Sequence, residues 1–169
     1  SQAFLRQWYF VLRHGRVGRC QAKKNWLLMK NYIVVTGGAG FVGSNLIEFL
    51  TKKTNKKIIS IDNYSSGYLR NHIKSNKVKY FKGNTVNIAK ILSNYKNKIH
   101  SLFHFGEFAR IFKSFKKFND CFQSNSIGSK EVFKFCLDNN IRLIYSATSA
   151  SLGNNGEDKN LSPYSFTKA

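Results

Sequence analysis

The chain has 169 residues, 42% of them hydrophobic and 15% aromatic, and a formal net charge of +20. This length and composition are sufficient for one globular domain with its own core, which excludes disorder of the whole chain. A strong positive charge raises nucleic acid as a partner, because clustered cations neutralise phosphates and release counterions. Here the basic residues are spread along the chain, so we expect no specific nucleic-acid binding.

Cysteine and histidine usage excludes two further classes. The three cysteines, Cys20, Cys121 and Cys136, form no C-x-x-C pair, and the four histidines show no metal-ligand spacing. We therefore expect neither a disulfide framework nor a metal site, and a reducing cytoplasm as the location. No apolar run reaches the roughly 18 residues that cross a bilayer, so we expect no membrane span.

The composition changes near Met29, the only methionine. Residues 1–28 carry six basic residues and no acid, and a strand-like run begins at Tyr32. We interpret residues 1–28 as a basic N-terminal extension outside the fold, and residues 29–169 as one α/β domain. Upstream sequence, an Arg-rich organellar presequence, and a nucleic-acid or membrane-binding arm all remain open for the extension.

From Tyr32 onward, short β-branched or aromatic runs alternate with longer helical patterns, which is typical of βαβ units around a parallel sheet. The pattern predicts five strands, at Tyr32–Thr36, Lys57–Ile61, Val78–Lys82, Ser101–Phe105 and Arg142–Ser146. It predicts helices at Phe41–Lys53, Asn84–Ser93 and Phe118–Asn139. The expected fold class is α/β, a Rossmann-like doubly wound parallel sheet.

A glycine-rich loop directly follows the first predicted strand, with the sequence Thr36-Gly37-Gly38-Ala39-Gly40-Phe41-Val42-Gly43. A pyrophosphate approaches the backbone only where side chains are absent, and the start of the next helix offers unpaired N–H groups. Gly37 and Gly40 meet this need, and Gly43 lets the helix pack closely on the sheet. The loop predicts a dinucleotide site, with a plain flexible loop as the alternative.

An acidic residue ends the second predicted strand. Asp62 lies 19 residues after Gly43, where a carboxylate can bond the hydroxyls of an adenosine ribose and repel a 2′-phosphate. This favours NAD over NADP, although three nearby basic residues leave NADP open: Lys56, Lys57 and Arg70. The alternative interpretation of Asp62 is the start of a turn with Asn63.

The segment Tyr164-Ser165-Phe166-Thr167-Lys168 completes a family resemblance. It resembles the Y-x-x-x-K motif of short-chain dehydrogenases/reductases, and the G-x-x-G-x-x-G run and Asp62 add to the resemblance. The glycine spacing resembles their extended branch, the NAD-dependent epimerase/dehydratase group. The resemblance covers about residues 29–169 and implies an NAD-binding domain with NAD as cofactor.

The resemblance implies catalytic roles for Tyr164 and Lys168. The two are four residues apart, so they share one face of a helix, and a cation near a phenol stabilises the phenolate. In the family the tyrosine removes a proton from a sugar hydroxyl, and the lysine also bonds the nicotinamide ribose. We expect Ser162 to cap this helix, with Pro163 at its first position.

A third catalytic hydroxyl is implied after the fifth strand. In the family it belongs to a Ser or Thr five positions before a glycine, and counting back from Gly153 selects Thr148. Its hydroxyl would hold the reacting oxygen. Ser149 and Ser146 are the other candidates, and a hydroxyl that merely satisfies the loop backbone remains an alternative.

The resemblance implies further cofactor contacts at matching positions. They lie at the start of the first helix, after the strands and in the long helix: Phe41, Val42, Asn63, Asn84, Thr85, Phe105, Gly106 and Asn125. Two positions depart from the family pattern, since Asn84 replaces an acid near adenine and Gly106 replaces an alanine. Asn84 can still donate and accept hydrogen bonds.

The reaction is narrowed by the residues after Thr148. Related 4,6-dehydratases carry Asp-Glu there, whereas this chain has Ser149-Ala150, so dehydration lacks its acid and base. The resemblance favours a nucleotide-sugar epimerase, which passes a hydride to NAD and takes it back. A sugar dehydrogenase or dehydratase is the alternative within the family, and a non-catalytic NAD-binding regulator or a basic nucleic-acid binder is the alternative outside it.

The segment after the fourth strand gives two predictions. Glu107 and Arg110, together with Ser149, are candidates for contact with the sugar or its phosphates, and a solvated helix start is the alternative. The phenylalanines recur at intervals of three and four, which predicts an apolar helix face packed in the core. They are Phe105, Phe108, Phe112, Phe115 and Phe118.

The chain ends at Ala169, one residue after Lys168. We therefore expect a Rossmann-like fold that is incomplete at its C-terminus and lacks the substrate-binding half. Such a chain alone should not turn over a nucleotide sugar, although NAD binding could persist. The family commonly dimerises through helices of this domain, so we expect a homodimer at full length.

Overall fold

The computed structural model describes residues 30–149, 155 and 161–168. Its strands form one parallel sheet in the order β3-β2-β1-β4-β5. They are β1 (Tyr32–Thr36), β2 (Lys57–Asp62), β3 (Val78–Lys82), β4 (Ile99–His104) and β5 (Arg142–Tyr145). This order is that of doubly wound dinucleotide-binding folds, which confirms the predicted fold class. The predicted extension over residues 1–28 lies outside the described residues.

Helices connect the strands. They are α1 (Phe41–Lys53), α2 (Ile88–Ile91), α3 (Ile111–Lys116), α4 (Phe118–Phe122), α5 (Ser129–Asp138) and α6 (Pro163–Lys168). Helix α1 has the predicted bounds. Helices α4 and α5 are joined by π-helical turns at Gln123–Gly128, so the predicted long helix is confirmed as one continuous run. The helix predicted over Asn84–Ser93 is shorter, because a 3₁₀ turn at Thr85–Asn87 precedes α2.

Both faces of the sheet are covered, which explains why the three central strands, β2, β1 and β4, are largely buried. On one face the strands pack against α2 and α5, in a core formed by Val34, Ile59, Ile61, Ile88, Leu92, Ile99, Leu102, Val132, Phe135, Cys136 and Ile141. On the other face they pack against α1, around Ile33, Val35, Ile47 and Ile58. The helices cover the two faces of the sheet and leave the carboxyl ends of its strands open.

The predicted core role of the phenylalanines after β4 is wrong for three of them. Phe112, Phe115 and Phe118 are 85%, 60% and 46% exposed. Helix α3 turns a different side inward, since Ser114 is its buried residue. The spacing of three and four residues therefore does place these side chains on an apolar face, but that face points outward.

No helix in the described part of the chain combines the length and the apolar character that crossing a bilayer requires.

Candidate functional site

A cleft of about 500 Å³ lies at the carboxyl ends of the strands, lined by residues that follow all five of them. Most of the residues predicted to bind a cofactor or to act in catalysis line this one cleft. They are Gly37, Gly40, Phe41, Val42, Gly43, Asp62, Asn63, Asn84, Thr85, Phe105, Gly106, Glu107, Arg110, Tyr164 and Lys168. The fold therefore brings together segments that are up to 131 residues apart in sequence, from Gly37 to Lys168.

The glycine-rich loop is closed against its neighbours in a way that only glycine permits. Gly37 has φ of +71°, and a Cβ there would lie 2.6 Å from the carbonyl oxygen of Phe105. A Cβ on Gly43 would lie 2.2 Å from the carbonyl oxygen of Gly37. The third glycine thus brings the first turn of α1 against the glycine-rich loop, whereas the sequence predicted close packing of the helix on the sheet.

Asp62 is fixed at the edge of the cleft by backbone donors. Its Oδ2 accepts a hydrogen bond from the N–H of Ala39 at 2.9 Å, and its Oδ1 accepts one from the N–H of Tyr64 at 2.8 Å. The second bond is the turn that the sequence offered as an alternative, so Asp62 begins a turn and also lines the cleft. Each carboxylate oxygen keeps a lone pair that can accept a hydroxyl. Beside it, the Nδ2 of Asn63 donates to the Oδ1 of Asn84 at 3.2 Å.

Helix α6 presents Tyr164 and Lys168 to the cleft. The predicted cap is confirmed: the N–H of Ser165 donates to the Oγ of Ser162 at 3.0 Å, and the helix begins at Pro163. The N–H of Tyr164 donates to the Oγ of Ser114 at 3.2 Å, which ties α6 to the buried side of α3.

Lys168 is buried in an ion pair with Glu107. The side chains of Lys168 and Glu107 are 4% and 5% exposed. The ammonium also donates to the carbonyl oxygen of Ser146 at 2.6 Å and lies 4.5 Å from the centre of the Tyr145 ring. Burial lowers the pKa of Lys168, against the opposing effect of Glu107. Burial likewise raises the pKa of Glu107, although Lys168 pulls it down.

A hydrogen-bonded chain runs from β1 to this ion pair. The hydroxyl of Thr36 contacts Nδ1 of His104 at 2.7 Å, and Nε2 of His104 contacts the hydroxyl of Ser129 at 3.0 Å. Ser129 then donates to Oε1 of Glu107 at 2.9 Å. Burial, helped by the charge of Lys168, lowers the pKa of His104 to about 3, so the imidazole is neutral at physiological pH. Sequence reasoning missed Ser129, because a serine at the start of a helix is ordinary.

Comparison with known proteins assigns the family. Residues 33–169 match the NAD dependent epimerase/dehydratase family. The chain belongs to this family. Two curated relatives are each 33% identical: an ADP-L-glycero-D-manno-heptose-6-epimerase from Brachyspira hyodysenteriae, over 80% of this chain and 45% of the relative, and a dTDP-D-glucose 4,6-dehydratase from Dictyostelium discoideum, over 72% and 30%. The chain thus spans less than half the length of these relatives.

Solved structures of similar fold include an epimerase from Methanothermobacter thermautotrophicus, with a TM-score of 0.72 and 24% identity over 86% of this chain and 46% of that one. A UDP-glucose 4-epimerase from Thermotoga maritima, solved with UDP-glucose, has a TM-score of 0.70 and 23% identity, over 81% and 47%. The enzyme WbmG from Bordetella bronchiseptica, in complex with NAD, has a TM-score of 0.70 and 21% identity, over 81% and 46%. At these identities the likeness shows a shared fold and nothing further.

Asn125, predicted to contact the cofactor from its position in the family helix, does not line the cleft. Its side-chain amide instead bonds the N–H and the carbonyl oxygen of Phe108, at 2.7 and 3.1 Å, and the Oγ1 of Thr167 at 3.2 Å. Asn125 therefore links the loop after β4 to α6, and positions the cleft wall from behind.

Three residues after β5 were candidates for the family's catalytic hydroxyl: Ser146, Thr148 and Ser149. Ser146 and Ala147 line the cleft, whereas Thr148 and Ser149, the next residues along, do not. Thr148 is half-buried and Ser149 is exposed. Gly153, from which Thr148 was counted, lies outside the described residues. Of the three candidates, Ser146 is the one that reaches the cleft in this structure.

No group of His, Cys, Asp or Glu among residues 30–149, 155 and 161–168 is arranged to hold a metal ion.

Proposed function

We propose that the protein is an NAD-dependent nucleotide-sugar epimerase and that residues 29–169 form its NAD-binding domain. The observation that carries this proposal is the convergence of four features on one cleft: the glycine-rich loop, Asp62, Tyr164 and Lys168. Pocket residues alone would fit many ligands, but this combination matches both ends of a dinucleotide.

The residues present fit NAD. Gly37 and Gly40 line the cleft without a side chain, next to the start of α1, where unpaired N–H groups favour a pyrophosphate. Asp62, held by two backbone N–H groups, would accept the adenosine ribose hydroxyls. Asn63 and Asn84 would flank the adenine. NAD, when bound, supplies a hydride acceptor that can return the hydride to the substrate.

The chain's own residues would manage the proton. Tyr164 and Lys168 line the same cleft as Asp62, and Tyr164 would take a proton from the reacting sugar hydroxyl. Lys168 has three N–H donors, of which Glu107 and the carbonyl of Ser146 occupy two. The third can be donated to a ribose hydroxyl. Ser146, or Thr148 after a local movement, would hold the reacting oxygen, and Arg110 at the rim is suited to a phosphate of the sugar nucleotide.

An isotope label on the reacting carbon tests the reaction. The protein at its full natural length is incubated with NAD and with nucleotide sugars deuterated at that carbon, and the products are followed by NMR. An epimerase returns the deuterium to the same carbon with inverted configuration, and Tyr164→Phe removes this turnover while NAD still binds. Deuterium accumulating in reduced nicotinamide would instead support the dehydrogenase. NAD binding without any transfer would support a cofactor-binding regulator.

We further propose that the partner of the apolar face on α3 and α4 is a second copy of the chain. The face is defined by four exposed side chains, Ile111, Phe112, Phe115 and Phe118, and its helices contact α6, so a second copy would cover helices that support Tyr164. Large exposed apolar patches of this kind mark interaction surfaces.

A further inference from the structure

One buried carboxylate in the cleft has no assigned part in the proposed reaction. Glu107 follows β4, its side chain is 5% exposed, and it forms an ion pair with Lys168. Taking a carboxylate out of water is costly unless charge and hydrogen bonds compensate it. Both carboxylate oxygens of Glu107 accept hydrogen bonds, and Lys168 supplies the opposite charge.

The hydrogen bonds to Glu107 have a defined direction. Thr36 Oγ1 accepts hydrogen bonds from the N–H groups of Phe105 and Gly106, at 3.1 and 3.0 Å, so its own proton is directed to Nδ1 of His104. The neutral imidazole then carries its proton on Nε2 and donates it to Ser129, whose hydroxyl proton goes to Oε1 of Glu107. Each hydrogen bond in this series, from Thr36 through His104 and Ser129, is therefore donated in the direction of the Glu107 carboxylate.

Tyr145 adds a second neutral donor. Its hydroxyl donates to Oε1 of Glu107 at 3.1 Å, while Oε2 is left to the ammonium of Lys168. Donors that converge on a carboxylate favour its ionised form. The titratable groups around the pair are His104 on β4, Tyr145 on β5, Cys121 on α4 and Tyr164 on α6. His104 is uncharged at neutral pH, and burial raises the pKa of the Tyr145 hydroxyl and of the Cys121 thiol, so none of these three groups supplies the negative charge that a buried ammonium needs.

We infer that Glu107 is the counter-ion and positioning residue of Lys168, holding its ammonium protonated and aimed into the cleft. The inference rests on the proposed function only in the role given to Lys168. Without Glu107, Lys168 is a buried cation beside two uncharged groups, the carbonyl of Ser146 and the ring of Tyr145, and burial favours its neutral form. The amine would then be neutral, and its third N–H would no longer be held toward the cleft.

The test follows the titration of Lys168 directly, without cofactor or substrate. The whole chain is labelled with ¹³C at the ε carbon of lysine, and its NMR signals are followed from neutral to strongly alkaline pH. The Lys168 signal is the one missing in Lys168→Met. In Glu107→Gln we expect its titration midpoint to fall by about one to three pH units, the size typical of removing a close opposite charge.

Two variants make the test specific. Glu131→Gln is the matched control, because Glu131 is an acid on α5 that pairs at the surface with Lys130, and the Lys168 midpoint should not move. Glu107→Asp keeps the charge and should restore most of the wild-type midpoint. An unchanged Lys168 midpoint in Glu107→Gln would overturn the inference.

If Glu107→Gln does not fold, the same coupling is measured from the other partner. With ¹³C at the δ carbon of glutamate, the Glu107 signal, which is the one missing in Glu107→Asp, should titrate about one to three pH units higher in Lys168→Met than in the wild type, and an unchanged Glu107 midpoint would overturn the inference. The outcome is separate from that of the proposed function. A chain that fails to bind NAD but shows the midpoint change would refute the cofactor site and leave the ion pair standing.

Discussion

At the residue scale, His104 shows how burial sets the charge of a side chain. It lies at the end of β4, fully enclosed, between the hydroxyls of Thr36 and Ser129. Its pKa is lowered from 6.5 to about 3, first by burial and then by the charge of Lys168. A group with a depressed pKa in the folded state stabilises the fold above its unfolded pKa, and this contribution is lost as the pH falls toward the folded value.

His104 therefore predicts part of the acid sensitivity of the protein. Between about pH 6 and 4 the unfolded chain binds a proton at this position that the folded chain does not, so the free energy of unfolding should fall by up to about 1.4 kcal/mol per pH unit from this residue. Urea unfolding at several pH values measures the slope. His104→Gln should reduce it, whereas Ser129→Ala should keep it, because burial is the larger cause. Equal slopes in wild type and His104→Gln would contradict this origin.

The residue scale is also where sequence reasoning stopped short. Asp62 was predicted from its spacing after the glycine-rich loop, and Lys168 from the resemblance of its segment to a family motif. The contact between Glu107 and Lys168 joins residues 61 apart in sequence, and no local spacing encodes it. The amide of Asn125 likewise turns away from the cleft to bond Phe108, a choice that only tertiary packing decides.

At the scale of elements, the turn from β1 into α1 is the most fully predictable part of the molecule. Gly43 is required by a contact within a few residues, because a Cβ there would collide with the carbonyl of Gly37. The bounds of α1 were predicted for the same reason. By contrast, the amphipathic spacing of the phenylalanines on α3 could not reveal which way that short helix faces, since an apolar stripe packs equally well in a core or against a partner.

The two glycines at the start of α1 give a graded prediction. A Cβ at Gly43 would collide with backbone atoms of Gly37, whereas one at Gly40 would meet only the carbonyl oxygen of Gly37, at 3.2 Å. Gly43→Ala should lower the free energy of unfolding by about 1–3 kcal/mol, the usual cost of overpacking. Gly40→Ala should cost clearly less. Urea unfolding of both variants checks this, and an equal cost would show that the loop relaxes more than its contacts indicate.

At the scale of the whole molecule, charge and the apolar face act together. The chain carries a net charge of +20, and Lys113 and Lys116 on α3 and Lys117 between α3 and α4 lie next to the exposed phenylalanines in sequence. Two copies that meet at this face would bring like charges together, and salt screens such repulsion. Binding to nucleic acid has the opposite dependence, because salt weakens it. Ionic strength therefore separates the two kinds of association.

We predict self-association that strengthens with salt. Sedimentation of the protein at its full natural length should show a concentration-dependent dimer, and Phe112→Ser should weaken it because this ring is the most exposed of the face. Phe49→Ser is the matched control, since Phe49 is 56% exposed on α1. A monomer at all concentrations and salt levels, or equal effects of the two variants, would contradict the proposed second copy.

The cofactor site is tested most directly by calorimetric titration of the chain with NAD and with NADP. Asp62 faces the cleft as a fixed carboxylate, so NAD should bind and NADP should bind at least about tenfold more weakly, a difference of ~1.4 kcal/mol. Asp62→Asn should narrow this difference, while Asp138→Asn, a surface control, should leave it unchanged. A folded chain that binds no NAD, or that prefers NADP, would contradict the proposal that this cleft is an NAD site.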